Sequence, residues 1–357
     1  MTCPRLEIDL DKITHNTRVL VNECKKFGIG IVGITKVSSG MKELVEAIVD
    51  GGINIIGESR IGSLKKLKDL DIEKMMIRLP MPSEAKDVVI YSDISLNSEL
   101  ETIIRLSEEA IKLKKKHKVI LMIDVGDLRE GCFGDEEIFG MVGRILELEG
   151  VELIGVGTNL SCFGGVIPSE DNLNTLINIK EQIEERYDIH IPIVSGGNSS
   201  SLHLIQNKKI PKGINQLRLG TSLILGTVEI NNSRMEDTYN DAFKLVTEII
   251  EIKDKPSIPI GQIARDSFGQ VPAFEDKGIR KRAICAIGKQ DIDIEWMEPQ
   301  DKDIYILGAS SDHLIVDVTD SKIKYGVGNN IVFIIDYVSI LNAMTSEHVK
   351  KVFFKSE

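Results

Sequence analysis

The sequence predicts an α/β protein: a (β/α)8 TIM barrel with a C-terminal, mostly β domain. From residue 29 to about 226, eight short β-branched runs alternate with seven clear amphipathic helical stretches. Buried apolar strands alternating with helices make a parallel sheet covered on both faces, and eight such units in ~200 residues suit a closed barrel better than an open sheet. After about residue 240 the pattern changes to short strands punctuated by glycines, over roughly 115 residues, an ordinary domain size. A chain of 357 residues has room for both.

The elements follow in order. An amphipathic helix over 12–27 precedes the first barrel strand, Ile29–Thr35, and Lys42–Val49 is a helix ended by Gly51-Gly52. Ile53–Ile56 pairs with a helix over 61–69, and Met75–Leu79 with a Pro-bounded helix over 83–90. Asp93–Leu96 leads into a helix for which Ser98 and Glu101 form an S-x-x-E capping box. Val119–Val125 precedes a helix over 135–149, and Val151–Gly157 one over 171–186. Ile191–Val194 precedes a short helix near 199–206, and Gln216–Leu219 is the last barrel strand. The polar stretch Val228–Asp237 marks the junction. Beyond it, Arg282–Ile287, Asp303–Leu307, Leu314–Val318 and Asn330–Tyr337 read as strands between turn residues.

Composition narrows the function. With 44 Lys+Arg against 55 Asp+Glu the net charge is −11, which opposes non-specific binding of nucleic acid. The one basic cluster, Lys112, Lys114, Lys115, Lys116 and Lys118, reads as the solvated end of a helix. No apolar run approaches the ~20 residues of a membrane span, and MTCPRLEIDL lacks the pattern of a signal peptide. Five cysteines (Cys3, Cys24, Cys132, Cys162, Cys285) without C-x-x-C spacing favour a reducing cytoplasm over a disulfide framework or zinc knuckle. The six histidines include no H-E-x-x-H and no pair at helix-borne zinc spacing, so no metal is expected. Gly28-Ile29-Gly30-Ile31-Val32-Gly33 matches G-x-G-x-x-G, but it follows a helix and enters a strand, the reverse of a dinucleotide fingerprint.

The strand ends carry the chemistry, because barrel active sites form where strands meet the following loops. Lys36 ends the first strand, a position suited to a Schiff-base lysine or, more blandly, to an amine that snorkels to the rim. The fifth strand leads into Asp124-Val125-Gly126-Asp127-Leu128-Arg129-Glu130-Gly131, and the sixth into Gly157-Thr158-Asn159. The seventh leads into Ser195-Gly196-Gly197-Asn198-Ser199-Ser200-Ser201, and the eighth holds Leu217-Arg218-Leu219-Gly220-Thr221. Gly-rich turns after late strands hold phosphate on backbone N–H groups, although a Ser/Gly run is also an ordinary solvated turn. A Schiff-base lysine, two arginines and such a cradle together suggest pyridoxal phosphate (PLP).

Taken in order, these segments resemble the alanine racemase family. Leu6-Glu7-Ile8-Asp9-Leu10 with Asn16 resembles its E-I-D-L…N opening, and Gly33-Ile34-Thr35-Lys36 its cofactor lysine. Asp124…Gly126…Arg129…Gly131 is similar to D-T-G-M-x-R-x-G, Ser195–Ser200 to its phosphate turn, and Leu217-Arg218-Leu219-Gly220 to V-R-P-G. Ser310-Ser311-Asp312-His313-Leu314-Ile315-Val316-Asp317 is similar to C-M-D-Q-x-x-V-D. The departures resemble the ornithine racemase branch. Ser38-Ser39-Gly40 replaces Tyr-Gly-His, Asn159 replaces the His under the ring, and Ile287-Gly288-Lys289-Gln290-Asp291 lacks the second acid/base Tyr. The segments Ala264–Gln270 and Asp336-Tyr337…Ala343–Ser346 also resemble that branch.

The resemblance implies a PLP-binding barrel over 11–230, and a β domain of 1–10 plus 231–357 that contributes to the partner's site in a homodimer. It implies an amino-acid racemase that interconverts L- and D-ornithine by two-base proton transfer at Cα. A racemase of alanine or lysine, a non-catalytic PLP-binding protein of the same barrel type, and a PLP lyase or decarboxylase are the alternatives. Lys36 carries the cofactor and serves as one base, with Lys289 the first candidate for the other and Ser310, Ser311 and His313 behind it. Asp312 supports the site, and Arg129 and Ser311 meet the substrate. Arg129, Asn159, Asn198, Ser199, Arg218, Gly220, Thr221 and Tyr337 hold the cofactor. Asp266 and Asp291 are candidate anions for a side-chain ammonium, and either also reads as a turn residue.

Overall fold

The structure is a computed structural model that describes residues 2–231, 233–265, 268–269, 271 and 273–355. Two compact units are present, one of residues 10–240 and one of residues 1–9 with 241–357. The chain opens on strand β1 (Arg5–Asp9), which belongs to the second unit, and enters helix α1 (Leu10–Lys25) of the first.

The first unit is a closed barrel of eight parallel strands, each hydrogen-bonded to the next and the last to the first. They are β2 (Gly30–Ile34), β3 (Ile55–Glu58), β4 (Glu73–Met76), β5 (Ile94–Asn97), β6 (His117–Met122), β7 (Val151–Gly157), β8 (Ile193–Ser195) and β9 (Gln216–Leu219). Closure is set by β9 against β2, with Val32 opposite Arg218. The helices that follow the strands are α2 (Lys42–Asp50), α3 (Ile61–Lys66), α4 (Ala85–Tyr91), α5 (Leu100–Lys112), α6 (Asp135–Leu146), α7 (Glu170–Tyr187), α8 (Leu202–Gln206) and α9 (Thr221–Leu225). Alternate strand positions converge on one apolar cluster of Val32, Met75, Ile94, Leu96, Ile120 and Met122, with Ile154 beside them. Burial of each such side chain contributes roughly 1.5–3 kcal/mol, so the barrel centre is filled rather than hollow.

Three details differ from the sequence reading. Helix α5 is not started by a Ser98–Glu101 box: its N-cap is Glu99, extended and without a side-chain cap bond. Strand β5 runs on to Asn97, so Ser98 still lies in the loop. The capping box of this chain is Ser169 with Asn172, at the start of α7. Strand β6 stops at Met122, where the chain turns: Met122 O accepts the Cys132 N–H (2.9 Å) and Asp124 N–H donates to Cys132 O (3.0 Å), which closes the loop carrying Arg129. The G-x-G-x-x-G match lies as its order predicted: Gly28 (φ +72°) follows α1, and Gly30 opens β2.

A short ribbon of β10 (Thr227–Val228) and β11 (Ser233–Arg234) closes the barrel unit. Residues after 230 stay with it because Asn16 of α1 exchanges two hydrogen bonds with the Tyr239 backbone (2.8 and 2.7 Å). The division therefore falls at 240/241, ten residues beyond 230.

The second unit is an eight-stranded sheet built around the long β12 (Phe243–Pro256). The others are β13 (Ile279–Cys285), β14 (Met297–Pro299), β15 (Tyr305–Ala309), β16 (Leu314–Asp317), β17 (Asn330–Ile335) and β18 (Lys350–Phe354). Strand β1 runs antiparallel to β12 and parallel to β18, so the first and last strands of the chain are neighbours. The run predicted as a strand to Tyr337 ends at Ile335; Asp336 then caps α10 (Tyr337–Thr345) by accepting from the Tyr337 N–H. Among the described residues, no helix is long and apolar enough to cross a membrane.

Candidate active site

The carboxyl ends of the barrel strands gather the predicted groups. Lys36 follows β2 on a short 3₁₀ turn, Lys36–Ser38. It lines a cavity of about 420 Å³ with Ser59, Ile77, Arg78, Arg129 and Glu130. A second barrel cavity, of about 510 Å³, opens at the amino ends, among Ile29, Gly30, Ile53, Pro192 and Asn215. Lys25 is the one charged group in its lining, and barrel enzymes work at the other end, so the first cavity is the candidate site.

Arg129 is aimed by its loop. Asp124 Oδ1 accepts the N–H groups of Gly126 (2.8 Å) and Leu128 (3.2 Å). Gly131 (φ +134°) lies so close to Asp124 that a Cβ would stand 2.4 Å from its nitrogen. Arg129 then pairs with Glu130 through two donors, and Glu130 also accepts from Asn159 Nδ2. Asn159 Oδ1 in turn accepts from Arg218 (2.7 Å), so a polar chain runs from Arg129 through Glu130 and Asn159 to Arg218.

Arg218 is buried. Its other donors go to the Thr158 carbonyl (2.6 Å) and the Ser195 hydroxyl, both neutral. Desolvation pushes its guanidinium down to about 10, partly offset by the Glu130 charge, which still leaves it a cation at neutral pH. At the phosphate turn, Asn198 Oδ1 accepts the Ser200 N–H (2.8 Å), while its Nδ2 reaches Leu160 O (3.0 Å) and Cys162 Sγ (3.1 Å). Both ends of Asn198 thus brace the turn. The Ser199 hydroxyl accepts from Gly220 N–H (3.2 Å) and Ser222 N–H (3.4 Å). Thr221 starts α9 directly after Gly220. The Ser200 hydroxyl and Thr158 Oγ1 are buried without a partner.

The remaining predicted residues lie in the second unit. Lys289 holds its ammonium 4.1 Å from the centre of the Phe268 ring, and its N–H donates to Ser310 O (2.9 Å). Asp312 Oδ1 receives Ser310 Oγ (3.3 Å), Ser311 Oγ (3.4 Å) and His313 Nδ1 (2.7 Å). The His313 bond first, and the serine donor with it, holds the Asp312 carboxyl below the usual range. Lys289, Ser310, Ser311, Asp312 and His313 therefore form one cluster, and Tyr337 begins α10. Asp291 is buried and accepts from Ser346 Oγ (2.6 Å), which makes it a structural carboxylate rather than a free anion. Asp266 lies outside the described residues.

Two carboxylates were not singled out from the sequence. Glu130 sat inside the arginine motif, but nothing in spacing says that it bridges to Asn159. Glu58, at the end of β3, is fully buried and accepts from Thr35 Oγ1 (2.7 Å). The available signal was its place at the end of a barrel strand, next to the one that delivers Lys36.

A closed parallel barrel with a lysine at the end of its first strand, a buried arginine on its last and a serine–glycine cradle between defines a class of cofactor-binding barrel. Residues 8–227 match the family model "Alanine racemase, N-terminal domain", and the chain belongs to that family. It is 45% identical to ornithine racemase of Acetoanaerobium sticklandii over 98% of this chain and 99% of that protein. It is 42% identical to lysine racemase of Thermotoga maritima over 99% of both. The fold is shared with an alanine racemase from Bartonella henselae that carries covalently bound pyridoxal phosphate: TM-score 0.74, 16% identity, covering 99% of this chain and 100% of that one.

The site suits that cofactor. A buried guanidinium whose own contacts are all neutral acceptors fits a ring nitrogen, the unpartnered Ser200 hydroxyl beside the Ser199 turn fits a phosphate, and Lys36 supplies the amine.

Proposed function

We propose that this protein is a PLP-dependent racemase of a basic amino acid, L- and D-ornithine being the pair interconverted. The observation that carries the reading is Lys36 at the mouth of the barrel, in one cavity with Arg129. Similarity over nearly the full length to two racemases of diamino acids favours a cationic side chain over alanine. The antiparallel domain after residue 240 separates the chain from bare PLP-binding barrels.

Lys36, Ser199, Gly220, Thr221, Arg218 and Asn159 would hold the cofactor, with Asn198 bracing the turn and Tyr337 as a further phosphate donor. When bound, PLP withdraws electrons from Cα and so acidifies its proton. Lys36 takes or returns that proton on one face of Cα. Arg129 binds the substrate carboxylate, and Glu130 keeps its guanidinium in place. Arg218 would face the ring nitrogen and would not surrender a proton to it, because a guanidinium remains protonated at neutral pH. That restrains the electron sink and disfavours side reactions such as transamination.

A second base must serve the other face. Of the charged groups lining the barrel cavity besides Lys36, Arg78 and Arg129 cannot give up protons and Glu130 is already committed. Lys289, with Asp312 and Ser311 beside it, is the residue we assign, supplied by the β domain to the partner's site in a homodimer.

The test follows optical rotation with L-ornithine, L-lysine and L-alanine. Racemisation of ornithine, lost by about 10³-fold or more in Lys36→Ala together with the absorbance of the protein-bound cofactor, is the expected result. Full cofactor absorbance in Lys36→Ala would remove Lys36 from its role. Cofactor binding without turnover of any amino acid would favour a non-catalytic PLP protein.

A further inference from the structure

Glu58 is a buried carboxylate of the barrel, beside Lys36, whose presence the roles above leave unexplained. It ends β3, the strand paired with β2, and the register Ile34 opposite Gly57 sets Thr35 opposite Glu58. Its side chain is fully buried. Oε1 receives the hydroxyls of Thr35 (2.7 Å) and Ser38 (3.4 Å), which flank Lys36 on its own turn. Ser38 Oγ also accepts the Gly40 N–H (3.1 Å), so the turn is tied at both ends to one carboxyl. Oε2 is buried without a hydrogen-bond partner.

An ionised carboxylate left half-satisfied in such a place is costly, whereas two hydroxyl donors on one oxygen are enough to orient it. Desolvation pushes Glu58 up to about 7, against the opposing pull of the Thr35, Ser59 and Ser38 donors and of the Lys36 charge. The other charged groups on the elements around it have work of their own or point outward. Arg78, after β4, pairs with Glu84 (2.8 Å), Lys66 of α3 donates to Ser39 O (2.9 Å), and Arg60 is exposed.

We propose that Glu58 is a positioning residue that both pins the Thr35–Ser38 turn and, through its charge, biases the Lys36 nitrogen toward its protonated form. An ionised carboxylate beside the turn favours the charged form of a neighbouring nitrogen, and replacing it by an amide removes that bias. This rests on Lys36 being the cofactor-bearing base.

The test compares wild type with Glu58→Gln, which keeps an acceptor oxygen for Thr35 and Ser38 and removes the charge. Thr35→Val is the second variant: it leaves the charge and removes the stronger of the two donors. Three readouts are followed against pH: absorbance of the bound cofactor, kcat/KM for racemisation, and the thermal midpoint of the cofactor-free protein. In Glu58→Gln the absorbance inflection and the matching limb of kcat/KM are expected to move down by about one pH unit, with cofactor still bound. In Thr35→Val the Glu58 transition moves upward. The cofactor-free wild type is expected to lose thermal stability as pH rises from 4.5 through 7, because the folded state holds the Glu58 proton longer than the unfolded chain does. That fall should flatten in Glu58→Gln. Unchanged absorbance and kcat/KM profiles in both variants overturn the proposal, as does an unchanged stability trend in Glu58→Gln. The absorbance and stability readouts need no substrate, so they decide the role of Glu58 even where the ornithine assignment fails.

Discussion

Glu130 lies between two arginines that have different tasks, and its charge is what lets both sit there. It accepts from Arg129 and Asn159, and its field partly offsets the desolvation of Arg218. Glu130→Gln should lower kcat/KM about tenfold, an effect of ~1.4 kcal/mol, and weaken cofactor binding less than Arg218→Ala does. Equilibrium titration of the apoprotein with PLP distinguishes the two. Lys36 was legible because a charged side chain directly after an apolar strand is a local feature, and Arg129 and Arg218 because each sits in a short motif of chain neighbours, one in the loop after β6 and one within β9. Glu58 and Glu130 were not, because what makes them matter is a partner on another strand: Thr35 is 23 residues from Glu58, and Asn159 is 29 from Glu130.

Loop and strand geometry decides how firmly those side chains are aimed. Gly131→Ala forces a Cβ against the Asp124 backbone at a positive φ. It should destabilise the barrel by roughly 1–3 kcal/mol and raise KM through the displaced Arg129, measurable by urea unfolding and steady-state kinetics. Inside strand β6, His117 is buried and bonded to Ser95 Oγ (2.8 Å), and desolvation lowers it to about 4. Its folded value lies below the unfolded 6.5, so the stability it contributes is present above pH 6.5 and is lost as pH falls through 4. A loss of roughly 3 kcal/mol across that window should appear in urea titrations of wild type and disappear in His117→Gln. At this scale periodicity was a good guide: β7 and β9 fall where the alternation put them. It failed at the start of α5, whose N-cap Glu99 makes no side-chain bond, and at the end of β6, where bonds to Cys132 rather than local propensity set the boundary.

The β domain closes on itself through the two ends of the chain, since β1 lies between β12 and β18. Removing residues 1–9 should therefore unfold this sheet while the barrel retains structure, seen as loss of one of two transitions in calorimetry. If the β domain serves the partner's site, mixing Lys36→Ala with Lys289→Ala, each inactive alone, should restore about a quarter of wild-type activity through hybrids with one intact site. No recovery would place both bases in one protomer. The sequence by itself determined the alternation of strand and helix, the class of fold, and the motifs that carry Lys36, Arg129 and Arg218, since each is written in residues that are neighbours in the chain. Only the tertiary structure decided that Asn159 joins Glu130 to Arg218, that Glu58 lies buried beside the Lys36 turn, and that the first strand is seated between β12 and β18. Those depend on hydrogen bonds and burial between segments far apart in sequence, which no local pattern encodes.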